Sequence, residues 1–158
     1  MDERNVKVND LHKAALRTFM LDPDEWESKY AGALQNDDDL AGYPTLIGFT
    51  VGTAIRRHFP VTWSRSDLIR YVADVRINVG TEQLRPRLAE DLIRWILNDD
   101  SLGERPPFDG TPADIVSTSL ILLMSLITDA DLDEAGIDEL INEAAHSAAQ
   151  QRPETLPR

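Results

Sequence analysis

Apolar residues recur three or four positions apart along most of the chain, which is the spacing of one face of an α-helix. The segments between these stripes are rich in Pro, Gly, Asp and Asn, residues that favour turns and helix ends. The pattern does not alternate strands with helices, as a parallel sheet would require. We therefore predict an all-α protein, with a single globular domain of six to seven helices over residues 9–150, a flexible N-terminus at 1–8 and a disordered tail at 151–158.

Capping residues mark where several of these helices begin. Asn9 or Asp10 precedes a stripe that ends near Leu21, and Asp22-Pro23 combines an acidic cap with a proline suited to a first helical turn. Further starts are predicted at Ser64 or Ser66, at Pro86, at Thr111-Pro112 and near Asp131, the last helix ending at Gln150.

Residues 45–59 are the ambiguous part of the pattern. Their β-branched side chains suit a strand, whereas Leu46, Phe49 and Thr53 fit one face of a helix and both neighbouring segments are helical. We predict a helix that opens at Pro44, after a solvated loop at 35–39.

The most apolar stretch follows Thr111-Pro112. It runs from Ile115 to Ile127 between two aspartates, and its 13 residues are too few to cross a bilayer as a helix. We therefore predict that the helix at about 112–128 is the central helix of the fold and that the chain does not bind a membrane.

Two helical segments share a six-residue pattern. Asp67–Val72 reads Asp-Leu-Ile-Arg-Tyr-Val and Asp91–Ile96 reads Asp-Leu-Ile-Arg-Trp-Ile, 24 positions further on. Either two related helices form a hairpin, or two amphipathic helices resemble each other by chance. We favour chance, because one short repeat is far less than repeat architectures show.

The net charge of −12 is distributed unevenly. Residues 1–43 hold 10 acids and 5 bases, residues 44–98 hold 5 and 8, and residues 99–158 hold 13 and 3. The middle of the chain is therefore basic and its end strongly acidic. Such a chain is a poor ligand for nucleic acid, because phosphate contacts need clustered Lys and Arg.

Two further features indicate the compartment. The chain has no cysteine, which excludes disulfides and fits a reducing environment. Residues 1–8 carry charge where a secretory signal needs an apolar stretch. We expect a cytoplasmic protein.

Acidic clusters offer an enzymatic alternative. All-α hydrolases can hold Mg²⁺ between carboxylates of facing helices, and Asp37–Asp39, Asp99-Asp100 or Glu139 with Glu143 could supply them. The sequence contains no Gly-x-Ser-x-Gly, no glycine-rich phosphate loop and no His-Glu-x-x-His. We therefore expect no cofactor and keep a divalent-metal-dependent hydrolase as the alternative function.

The main prediction is a non-enzymatic protein-binding or regulatory module, of the antitoxin, immunity or inhibitor kind. Arg and Trp are enriched at binding hot spots, and an acidic segment speeds association with a basic partner. The partner would be a protein, a basic one on the charge argument, or a second copy of the chain. The candidate contact residues are Arg56, Arg57, Trp63, Arg65, Arg70, Asp129, Asp131, Asp133 and Asp138.

Overall fold

Helices account for all the regular secondary structure in the part of the chain that the structure, a computed structural model, describes: residues 8–34, 37–80, 82–99, 108 and 110–150, without side chains for 37–40. This confirms the all-α prediction. The described residues form seven helices: α1 (Asp10–Leu21), α2 (Pro23–Lys29), α3 (Asp37–His58), α4 (Arg65–Val79), α5 (Pro86–Ile96), α6 (Pro112–Asp129) and α7 (Glu134–Gln150).

The helices belong to two compact units that divide α3 between Thr50 and Val51. The first unit contains α1, α2, the beginning of α3 and α7, and the second contains the end of α3 with α4, α5 and α6. The single domain predicted over 9–150 stays a prediction.

In the first unit, α1 packs against both α2 and α7. Its apolar stripe includes Ala15 and Leu16, which are fully buried, and α7 contributes Leu140 and Ala144. Phe19, Trp26 and Tyr43 form an aromatic cluster in which Trp26 stacks on Tyr43 with ring centroids 6.3 Å apart.

In the second unit, α4, α5 and α6 pack against one another. Burying aliphatic side chains stabilises such a unit by roughly 1.5–3 kcal/mol for each one fully removed from water. The core positions of these three helices include Leu68, Val72, Leu88, Ile93, Leu122 and Leu123.

Among the described residues, three helices begin with a capping box, in which the cap side chain and the third helical residue satisfy each other's backbone N–H groups. The caps are Asn9 for α1, Ser64 for α4 and Thr111 for α6. Ser64, and not Ser66, is therefore the cap of α4. At the other end of α4, Gly80 adopts a φ of 103°, which L side chains rarely reach.

The prediction for the start of α3 is wrong. The helix begins at Asp37, so Asp37–Asp39 are helical and not a loop, and Pro44 lies inside the helix and does not open it. Acidic residues are favourable in a first helical turn because of the helix dipole. A proline inside a helix costs about 3 kcal/mol, and the burial of Leu46 and Ile47 in the turn that follows offsets a cost of that size. The prediction that residues 45–59 are helical and not a strand is confirmed up to His58.

The helix α6 starts at the predicted place but is only partly central. One side carries buried residues such as Leu122 and Leu126, yet only 33% of the helix is buried. It is the one helix among the described residues that is long and apolar enough to cross a membrane, a test that a core helix of a water-soluble protein also passes.

Some predictions fall outside the described residues. These are the flexibility of the N-terminus, of which only Val8 is described, the disorder of 151–158, and most of the loop between α5 and α6.

Candidate functional site: an exposed face of α4

Helix α4 has more apolar residues than one buried face requires. Leu68, Val72 and Val75 recur at helical spacing and are buried against α5 and α6. Ile69 and Ile77 lie out of phase with them, on another side of the helix, where Ile69 is 46% and Ile77 is 73% exposed. A helix that is apolar on a second side has a surface that its own unit does not cover.

These side chains form one continuous surface. Arg65, Ile69, Ala73 and Ile77 are four residues apart and lie in one row, and all are exposed. Arg70 and Asp74 form the adjacent row and are exposed as well. We call these six residues the exposed α4 face.

The charged side chains of this face have no polar partner among the described residues. Arg65, Arg70 and Asp74 make no ion pair or side-chain hydrogen bond with any residue of the described ranges. Two guanidinium groups therefore flank an apolar row and remain open to solvent. Arginine is among the residues that are enriched at protein interfaces.

The related pattern in α5 shows what the same residues do when a face is covered. Ile93, which corresponds to Ile69, is fully buried, and the side chain of Arg94, which corresponds to Arg70, is only 10% exposed. Arg94 Nε donates to Asp99 Oδ2 at 2.7 Å, and its guanidinium lies 3.7 Å from Asp91. The Ile-Arg pair of this pattern is thus buried in α5 and exposed in α4.

The other basic and aromatic candidates precede α4 in the chain. Arg56 and Arg57 are exposed at the C-terminal end of α3, where positive charge is favourable to the helix dipole. Trp63 is half-buried in the turn before α4, and its backbone N–H donates to the Pro60 carbonyl at 3.0 Å. Val61 in the same turn is 99% exposed.

The acidic candidates have local roles in the first unit. Asp133 Oδ1 accepts a hydrogen bond from the Gly136 N–H at 2.8 Å, close to the start of α7. Asp138 accepts from Arg17 Nε at 2.6 Å, and Glu134 accepts from the same guanidinium at 2.8 Å. These hydrogen bonds, first of all the one to Asp138, raise the pKa of Arg17. Asp131 is exposed in the preceding turn with a φ of 54°.

Asp129, at the end of α6, belongs to the second unit and lies near the Tyr71 hydroxyl. Burial first, and the Asp129 carboxylate second, raise the pKa of Tyr71. The hydroxyl is buried and has no partner of hydrogen-bond geometry among the described residues, so the Asp129 effect is mainly that of a nearby charge.

Tyr43 in the aromatic cluster has a similar environment. Burial raises the pKa of Tyr43 to about 12, and the nearby Trp26 indole lowers it by a smaller amount. The Tyr43 hydroxyl and the Trp26 Nε1 nonetheless lack partners of good hydrogen-bond geometry within the described ranges. An unsatisfied buried donor of this kind costs about 1–3 kcal/mol.

The acidic clusters of the enzymatic alternative do not converge where the structure describes them. No three metal-capable side chains come together in the described part of the chain. Asp99 is held by Arg94, and Glu139 and Glu143 are exposed on α7. The side chains of Asp37–Asp39, and Asp100 entirely, lie outside the described residues.

Sequence reasoning selected Arg65 and Arg70 but missed Ile69, Ala73, Asp74 and Ile77. The signal available was the pair of isoleucines out of phase with the buried stripe of α4.

No family model, no curated protein and no solved structure matches the chain.

Proposed function

We propose that this chain is a protein-binding module that contacts its partner through the exposed α4 face. The observation that carries the proposal is the exposure of Ile69 and Ile77 in one row of a helix whose neighbouring cations, Arg65 and Arg70, are unpaired among the described residues. Large apolar side chains exposed together, with charges around them, are typical of an interaction surface.

The distribution of exposed apolar residues supports this choice of surface. Five large apolar side chains are exposed among the described residues, and three of them, Val61, Ile69 and Ile77, belong to α4 or to the turn before it. The other two, Leu11 and Leu21, are on α1 and are less exposed, at 38% and 39%.

The finer role, that of an antitoxin, immunity or inhibitor-like protein with a basic partner, rests on the acidity of residues 99–158. Asp133 and Asp138 already accept hydrogen bonds within the chain, so the exposed Asp129 and Asp131 are the members of that set on which this role relies. A cytoplasmic location is part of the proposal, and the lack of cysteine fits it.

The test compares two double variants of the tagged chain. Ile69→Ser/Ile77→Ser removes the apolar row, and Leu11→Ser/Leu21→Ser removes exposed leucines of α1 as a matched control. Leu11, Leu21 and Ile69 are still more than half covered, so each substitution should lower the free energy of unfolding by about 1 kcal/mol. Both variants are expected to fold, which circular dichroism checks.

Binding is then measured by quantitative mass spectrometry of pull-downs at moderate salt, with an untagged second copy of the chain included. We expect a stoichiometric partner that the α4 variant loses and the α1 variant keeps. A partner that both variants keep would reject the α4 face as the contact surface, and no partner of either kind would reject the binding role.

A further inference from the structure

The row at the centre of the exposed α4 face is symmetric about Ala73. Ile69 and Ile77 each lie four residues from it, one on either side. If a second α4 helix lies antiparallel across this row, each Ile69 meets Ile77 of the other copy and the two Ala73 residues meet at the centre. A small residue at that point lets two helices approach closely, as packing of ridges into grooves requires.

The charges beside the row have the same symmetry. Arg70 lies three residues before Ala73 and Asp74 lies one residue after it, in the same adjacent row. In an antiparallel pair related by a two-fold axis, this row meets its own copy. Arg70 of one chain and Asp74 of the other would then be offset by about 3 Å along the helix axis. The two-fold axis relates this pair to a second, identical pair.

The available charges also favour this arrangement over a parallel one. In a parallel pair the row of Arg70 and Asp74 would face the opposite edge of α4, which contains Arg76. The Arg76 guanidinium already donates to the Leu84 carbonyl at 3.2 Å. Arg70 and Asp74, by contrast, have no ion pair within the described residues.

We propose that the exposed α4 face binds the same face of a second copy of this chain, with the α4 helices antiparallel and Arg70 of each copy paired with Asp74 of the other. This inference rests on the proposed binding role of the exposed α4 face, for which it names the partner, and does not depend on the finer role with a basic partner. One helix face is smaller than the roughly 1,200–2,000 Å² that stable interfaces bury, so the dimer is expected to be weak, with a Kd on the order of 10–100 µM.

Charge exchange tests the pairing, with sedimentation equilibrium of the full chain at up to several hundred micromolar. Arg70→Asp and Asp74→Arg each turn two attractions into two repulsions, and each should raise the Kd about tenfold. The double variant Arg70→Asp/Asp74→Arg restores both pairs and should return the Kd to within about threefold of the original.

Net charge provides an internal control for these variants. Arg70→Asp makes the chain more negative and Asp74→Arg makes it less negative, so general repulsion would weaken one dimer and strengthen the other. Weakening by both single variants therefore identifies the specific pair. A chain that stays monomeric, single variants without effect, or a double variant as weak as the single ones would each overturn the proposal.

Cysteine cross-linking tests the direction of the helices, because the chain has no cysteine of its own. Ala73→Cys should form a disulfide-linked dimer under mild oxidation, since two Cα atoms must lie within about 7 Å for the bond to form. Ile69→Cys should not, because in the antiparallel pair the two copies of position 69 are about 12 Å apart along the axis. Cross-linking of Ile69→Cys without Ala73→Cys would contradict the arrangement.

The outcomes also separate this inference from the proposed function. If the chain is monomeric at every concentration while Ile69→Ser/Ile77→Ser abolishes capture of a different protein, the self-pairing is rejected and the binding role stands. If the α4 variant alters neither self-association nor capture, both are rejected.

Discussion

Arg94 and Arg70 occupy the same place in two copies of an Asp-Leu-Ile-Arg pattern, yet one side chain is buried and the other exposed. Arg94 is enclosed with Asp91 and Asp99, whose side chains are only 11% and 18% exposed. A buried ion pair adds little net stability, because desolvation offsets the attraction. Removing one partner is much more costly, because it leaves a charge buried and uncompensated.

We predict that Arg94→Met lowers the free energy of unfolding by about 3–5 kcal/mol, since Asp91 and Asp99 would remain buried without their cation. The matched control is Arg70→Met, which makes the same change at an exposed position and should cost no more than about 0.5 kcal/mol. Urea denaturation at low micromolar concentration measures both. Equal effects of the two substitutions would show that Arg94 is not stabilised by these carboxylates.

The two arginines also define what the sequence could predict at the scale of a residue. Arg70 was predicted as a contact residue from its residue type alone, and that role stays a prediction. Ile69 and Arg94 could not be assigned, because local sequence is nearly identical around both helices and burial depends on what packs against them. Only the packing of α4, α5 and α6 against one another shows that the pattern is buried in α5 and exposed in α4.

At the scale of elements, helix starts with a local chemical cause were predicted and the others were not. Thr111-Pro112 and Ser64 act through hydrogen bonds within four residues, which a sequence displays directly. The beginning of α3 was missed because Pro44 and the acidic run both resemble a break, while the residues that keep the helix intact follow later in the chain.

We predict that Ser64→Ala lowers the free energy of unfolding by about 1 kcal/mol. The Ser64 hydroxyl accepts from the Asp67 N–H at 3.1 Å, and Asp67 Oδ2 accepts from the Ser64 N–H at 3.0 Å, so the substitution breaks one half of the capping box. Ser66→Ala is the control, because Ser66 is already inside α4 and should leave stability unchanged or slightly raised. If thermal unfolding ranked the two variants in the opposite order, Ser64 would not be the cap.

At the scale of the whole molecule, the sequence predicted how charge is distributed along the chain but not which charged residues pair with each other. The division of the chain into a basic middle and an acidic end followed from counting residues. The pairing of Arg17 with Asp138 and Glu134 joins residues more than 100 positions apart, and no local pattern indicates it. Asp138, which the sequence offered as a contact for a partner, is therefore engaged within the chain.

The net charge leads to a last prediction, on the salt dependence of self-association. Two chains of charge −12 with centres about 35 Å apart repel by roughly 5 kcal/mol at 0.01 M salt and by roughly 0.2 kcal/mol at 0.15 M. Screening also weakens the two exposed Arg70–Asp74 pairs, but each of these is worth no more than about 1 kcal/mol. Relief of the general repulsion is the larger effect.

We therefore expect the Kd of the dimer to fall at least tenfold when NaCl is raised from 10 to 150 mM, as measured by sedimentation equilibrium. The opposite sign is expected if Arg65 and Arg70 instead bind an acidic partner, because salt weakens an attraction between unlike charges. Self-association that becomes weaker with salt would mean that the contact joins a basic surface of one copy to an acidic surface of the other, and not two α4 faces. The direction of the salt effect thus distinguishes a self-complementary contact from a head-to-tail one.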